Sequence, residues 1–171
     1  AISKPAEGIL QQIYKAHDDQ KIPLLQSILK DGVYKSIIVF ASTKDKVKSL
    51  GRALRSLGLK AEAFHSDLEQ KQREEILLDF KNRKLPVIVG TDVLSRGIDV
   101  EGIDLVVNFD APQDPEDYVH RIGRTARAAT KGTAITFVNQ KDKRKLENIE
   151  RLIEKSIEVV ELPEDIAKIE L

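Results

Sequence analysis

The chain has 171 residues, 28 Lys plus Arg against 28 Asp plus Glu, and 41% hydrophobic residues; this fits one globular domain with a sizeable core and gives no global basic excess for nucleic-acid binding. The absence of cysteine removes disulfide scaffolds, thiolate zinc sites and thiol nucleophiles, and fits a reducing, cytoplasmic setting. No apolar run approaches membrane-spanning length, and the first twenty residues alternate polar and apolar types instead of forming a signal-peptide core.

Ile9 to Ala16 is a candidate first strand. A helix is expected over Ile22 to Lys30, with Pro23 in its first turn and Gly32 just past its end. The apolar run Ile37 to Ala41 then predicts a strand, and Lys44 to Leu57 carries Val47, Leu50, Leu54 and Leu57 at helical spacing, closed by Gly58. Ala61 to His65 predicts the next strand and Glu69 to Lys81 the next helix, with Ile76, Leu77 and Phe80 on one stripe. Val87 to Thr91 and Leu105 to Phe109 are strand-like on either side of a small-residue loop. Asp114 as N-cap and Pro115 at the first helical position start another helix. Thr133 to Val138 predicts a last strand, and Lys143 to Lys155 a helix bearing Leu146, Ile149, Leu152 and Ile153. This alternation indicates an α/β fold, a mainly parallel β-sheet with helices on both faces. Residues 1–160 form one domain on this reading, and 161–171 a short acidic tail or ordered strap.

The segment Asp114 to Arg127 carries the most chemistry. At about 100° per residue, His120, Arg121, Arg124 and Arg127 fall within roughly a 120° arc, with Val119, Ile122 and Ala126 opposite. Taken alone this is also the pattern of a solvated basic face. Arginine, however, keeps its charge in a partly desolvated cleft and recognises phosphate through several donors, so a polyphosphate is the natural target. An arginine supplied across a domain boundary stabilises the charge that builds during phosphoryl transfer.

Pro86 to Asp99 is a buried strand running into a loop, and ligands of parallel sheets bind beyond the carboxyl ends of strands. There the Thr91 hydroxyl suits a phosphate, Gly97 a close backbone approach or positive φ, and Asp99 a sugar hydroxyl. Phe40 to Lys44 and His65 to Arg73 also run from strand ends into helix N-termini, where free N–H groups suit anions, although taken alone they are more simply explained by helix capping by Ser42, Thr43 or Asp67. Gln70 and Arg73 lie one turn apart. The basic run Lys141 to Lys145 reads as a solvated face. His17 and His65 have no metal-ligand partners at suitable spacing, so no metal site is assigned.

In this order, these segments resemble the C-terminal lobe of the DEAD-box family of superfamily 2 helicases over almost the whole chain. Ile38 to Thr43 is similar to motif IV, Gln70 and Arg73 to the Q-x-x-R element, Thr91-Asp92 with Arg96 to Asp99 to motif V, Asn108 to Pro112 to motif Va, and His120 to Arg127 to motif VI. The resemblance implies a RecA-like fold in which Arg124 and Arg127 reach the phosphates of ATP bound on the other lobe. It places Gly97 and Asp99 near the ribose and His120 and Arg121 at the interlobe surface. Thr43, Gln70, Arg73 and Thr91 contact the RNA backbone on this basis, independently of base sequence. Ala126 stands where many members have Gly. The chain has no G-x-x-x-x-G-K-S/T loop and no Asp-Glu-Ala-Asp tetrad, so the Mg²⁺ that accompanies ATP is expected on an N-terminal RecA-like lobe of the same polypeptide. The other expected partner is single-stranded or short-duplex RNA, and the isolated domain is expected to be monomeric and inactive. A DNA-directed translocase and a non-catalytic interaction module are the alternative readings.

Overall fold

The computed structural model describes residues 8–100, 102–125 and 132–169. In chain order its elements are β1 (Ile9–Lys15), α1 (Asp18–Leu29), β2 (Ile37–Phe40), α2 (Lys44–Ser56), β3 (Ala61–Ala63), α3 (Gln70–Lys81), β4 (Val87–Gly90), α4 (Asp92–Gly97), β5 (Leu105–Asn108), α5 (Pro115–Ile122), β6 (Gly132–Val138), α6 (Lys143–Ile153), β7 (Glu158–Val159) and α7 (Glu164–Ala167). A 3₁₀ turn, Gln140–Asp142, leads into α6. Among the described residues the strands form one seven-stranded sheet in the order β3-β4-β2-β5-β6-β1-β7, with every pairing parallel.

The central strands β2, β4 and β5 are buried along their whole length because helices cover both faces, which is why their sequences are continuous apolar runs. Val39, Val89 and Val107 pack against Leu24 and Leu25 of α1, Leu50 and Leu54 of α2, and Ile166 of α7. On the other face Ile38, Phe40, Ile88 and Val106 meet Phe80 of α3 and Leu94 of α4, while Ile13 and Ala134 meet Tyr118 and Ile122 of α5 and Ile149 of α6. The pairing of Val106 with Ala134 puts α3 to α6 on one side. The chain therefore leaves β2 towards one face and its neighbours β4 and β5 towards the other. The crevice beyond the carboxyl ends of these three strands is a topological switch point, where open parallel sheets bind ligands.

Several elements differ from the sequence expectation. Helix α1 begins at Asp18, not Ile22, because the backbone N–H of His17 donates to Gln20 Oε1 (3.0 Å) and Asp18 and Asp19 sit at the positive end of the helix. Pro23 consequently lies in the second turn, where, having no N–H, it cannot donate to the carbonyl of Asp19 one turn earlier. The expected loop after β4 winds into α4. Helix α5 stops at Ile122, and Gly123, Arg124 and Thr125 continue as tight turns with bonds back three or four residues. Residues 161–169 lie across α1: Gln20 Nε2 donates to the Ile166 carbonyl (3.2 Å) and His17 Nε2 lies 3.1 Å from the Ile169 carbonyl, while Ile166 is buried.

Candidate functional site

Thr43, Gln70, Arg73 and Thr91 lie just beyond the carboxyl ends of β2, β3 and β4, Gly97 and Asp99 at and just after the end of α4, His120 and Arg121 within α5, and Arg124 in the turn after it. Arg127 lies outside the described residues.

One groove of about 580 Å³ collects Lys44, His65, Gln70, Arg73, Thr91 and Gly97. The first turn of α3 orients its arginine: Arg73 Nη2 donates to Gln70 Oε1 (2.9 Å) and Nη1 to the Ser66 carbonyl (3.4 Å), while Gln70 Nε2 donates to Glu74 Oε1 (3.1 Å). Thr91 sits at the N-cap of α4 without spending its hydroxyl on a cap bond. Thr43 does cap α2, accepting from the Lys46 N–H (3.2 Å), and it is Lys44, the next residue, that lines the groove. Of the two properties expected of Gly97, positive φ is not used; a Cβ there would meet nothing within 4 Å, so the backbone borders open space. Asp67 does not cap α3. It accepts from Lys44 (2.9 Å) and Lys48 (2.5 Å), and these bonds, Lys48 first, hold its carboxyl down at about 2.

Arg121 departs furthest from the helical-wheel expectation. It is buried, 5% exposed, instead of sharing a solvent-facing arc. Its Nε donates to Asp92 (2.7 Å), its Nη1 to Asn108 Oδ1 (3.1 Å) and more distantly to the Asp110 carbonyl (3.4 Å), and the guanidinium lies 5.1 Å from the Phe40 ring centroid. It thus ties α5 to the ends of β2, β4 and β5.

Asp110 is a residue that sequence reasoning noted only within motif Va. Its carboxylate accepts from the Ser42 N–H (2.8 Å), Lys46 (3.0 Å) and the buried Lys21 (3.3 Å). Burial pushes this carboxyl up, but the bonds from Lys46 and Ser42 and the charge of Lys21 outweigh it, leaving it below the ordinary aspartate range. The available signal was an aspartate directly after a buried strand with lysines in two helix first turns.

His120 is exposed. Arg124 folds back, Nε donating to the His120 carbonyl and Nη1 to the Ile98 carbonyl, both at 3.2 Å. The residue after Ile98 is Asp99, which is exposed. Thr125 is fully buried and donates to the Ile103 carbonyl (2.6 Å), fixing the turn that carries Arg124. Among the described residues no three His, Cys, Asp or Glu side chains are grouped to hold a metal ion, and no helix is long and apolar enough to cross a membrane.

A sequence profile of the helicase conserved C-terminal domain matches residues 20–129. The chain is also 42% identical over 155 residues to the DEAD-box ATP-dependent RNA helicase CshA of Geobacillus kaustophilus, covering 90% of this chain and 33% of that protein. The chain belongs to the DEAD-box family, as a helicase C-terminal domain. Its fold is RecA-like: it superposes on the E. coli DEAD-box protein SrmB, in a structure bound to regulator of ribonuclease activity A, with a TM-score of 0.87 and 35% identity, covering 94% of this chain and 95% of that one. It superposes equally on S. cerevisiae Dbp5 bound to RNA and ADP BeF3, with a TM-score of 0.85 and 31% identity, covering 92% of this chain and 42% of that one. The DEAD-box domain described here spans about a third of the length of the Geobacillus relative.

Proposed function

We propose that this domain is the second lobe of an ATP-dependent RNA helicase. It completes an ATPase site held mainly by a preceding lobe and grips the RNA backbone, so that closure of the two lobes separates short duplexes. The observation that carries the reading is the groove that brings Gln70 and Arg73 of the Q-x-x-R element together with Thr91 and Gly97 of motif V, supported by the bond that ties the motif VI arginine Arg124 to the motif V backbone at the Ile98 carbonyl. Arg124 and Arg127 meet the ATP phosphates, Gly97 and Asp99 the ribose side, and Thr43, Gln70, Arg73 and Thr91 the RNA sugar-phosphate backbone. His120 organises the interlobe surface directly. Arg121 does so from beneath, since its guanidinium is engaged inside the domain.

The described residues do not suit the Mg²⁺ that accompanies ATP, because no ligand cluster is formed, and the chain has no phosphate loop. Metal and most phosphate contacts are assigned to the other lobe. Steady-state ATPase of the full-length parent protein with and without RNA is the test. Arg124→Ala should lower RNA-stimulated turnover by about a hundred-fold or more while the fold persists; unchanged turnover overturns the catalytic assignment. Strong hydrolysis by the 171-residue chain alone overturns the two-lobe reading, and equal stimulation by DNA overturns the assignment of RNA as the preferred strand.

A further inference from the structure

His65, which the sequence offered no metal-ligand role, lines the groove that also holds Gln70, Arg73 and Thr91. The residue follows β3, and its turn fixes the ring: the His65 carbonyl accepts from the Leu68 N–H (3.3 Å), and its Nδ1 accepts from the Asp67 N–H (3.3 Å). Asp67 is itself pinned by Lys44 and Lys48 of α2, so the partner of Nδ1 is held in place. A neutral imidazole that accepts at Nδ1 carries its proton on Nε2. That Nε2–H has no partner among the described residues, and the ring lines the same groove as Gln70, Arg73 and Thr91.

The neutral form is the favoured one. Burial, first, and then the charges of Lys48 and Lys44 hold His65 below the ordinary histidine range, against an opposing pull from Asp67. Arg73 and Glu74 of α3 are the other charged groups lining the groove. Protonation at Nδ1 would also break the bond from the Asp67 N–H.

We propose that His65 is a further RNA-contacting residue, donating its Nε2–H to a backbone oxygen of the strand in this groove. The proposal rests on the RNA-binding reading of the groove and adds to it a donor without charge. Arg73 and His65 then differ in a measurable way. Loss of a cationic phosphate contact lowers the dependence of log affinity on log salt by roughly 0.7 for a single strand, whereas loss of a neutral donor lowers affinity and leaves that slope alone.

The test is fluorescence anisotropy of a labelled single-stranded RNA with the full-length parent protein and a non-hydrolysable ATP analogue, across a salt series. His65→Ala should weaken binding by about ten-fold, the scale of one hydrogen bond to a charged oxygen, with an unchanged salt slope. His65→Gln, whose amide nitrogen reaches the Nε2 position, should restore most of the affinity. His65→Asn, which reproduces only the Nδ1 side, should not. Rescue by Asn but not by Gln overturns the proposal in favour of a turn-holding role, and equal loss in all three variants overturns it as well. Unchanged affinity in His65→Ala alongside weakened binding in Arg73→Ala overturns this proposal alone; if Arg73→Ala also binds normally, the RNA reading of the groove falls with it.

Discussion

Arg121 and Arg124 are three residues apart and have opposite fates. Arg121 is a planar fork inside the protein, donating to Asp92, Asn108 and the Asp110 carbonyl, a geometry that an ammonium cannot reproduce. Arg121→Lys should therefore cost about 2 kcal/mol in urea denaturation, the scale of lost hydrogen bonds to a charged group whose partners remain; an unchanged midpoint would show that the fork is dispensable. Thr125→Val retains shape but leaves the Ile103 carbonyl without its 2.6 Å donor in a fully buried position, and should cost about 1–3 kcal/mol by the same assay. The sequence could not separate the two arginines because a helical wheel drawn through Arg127 assumes that the helix continues. Over the eight residues of α5 itself the buried set is Tyr118, Val119, Arg121 and Ile122. The wheel cannot reveal that a charged member of that set meets polar groups at three strand ends. The strand end before Thr91, by contrast, was legible, because Val87–Gly90 is buried along its whole length and reads as a continuous apolar run.

At the scale of elements, the ends of β2 and β5 and the first turns of α1 and α2 are held together by one carboxylate. Asp110 takes Ser42, Lys46 and Lys21 from three of those elements. Its folded-state pKa is depressed, so its stabilisation is present above the unfolded aspartate value of about 3.9 and is lost as pH falls through the lower folded value. Asp110→Asn should accordingly lower the melting temperature most at neutral pH, with the gap to the parent narrowing below about pH 4; a constant gap from pH 7 to pH 3 would count against the ion pairs as its source. The strands most legible in the sequence were those buried on both faces, such as Ile37–Phe40 and Leu105–Asn108. β7 was invisible because its two residues are both exposed and carry no alternation. The start of α1 was missed because Asp18-Asp19-Gln20 reads as polar loop until His17 is seen to exchange a bond with Gln20, and α4 because six residues ending in glycine give no amphipathic stripe.

For the whole molecule, a sheet with every strand parallel gathers the proposed RNA contacts Thr43, Gln70, Arg73 and Thr91 beyond the carboxyl ends of its strands. The opposite rim is where chain segments enter the strands, and the segment before β2 exposes Val33, 72% accessible. The chain has no cysteine. Val33→Cys would therefore create a unique thiol in this domain, at the opposite end of the strands from the proposed RNA contacts, and its modification by a bulky maleimide should leave RNA-stimulated turnover of the full-length protein unchanged, as read by phosphate release. A fall in turnover would place that rim within the working surface. Otherwise the same position accepts a fluorophore or a surface tether, so that opening and closing of the lobes can be followed on single molecules while the proposed RNA groove stays free.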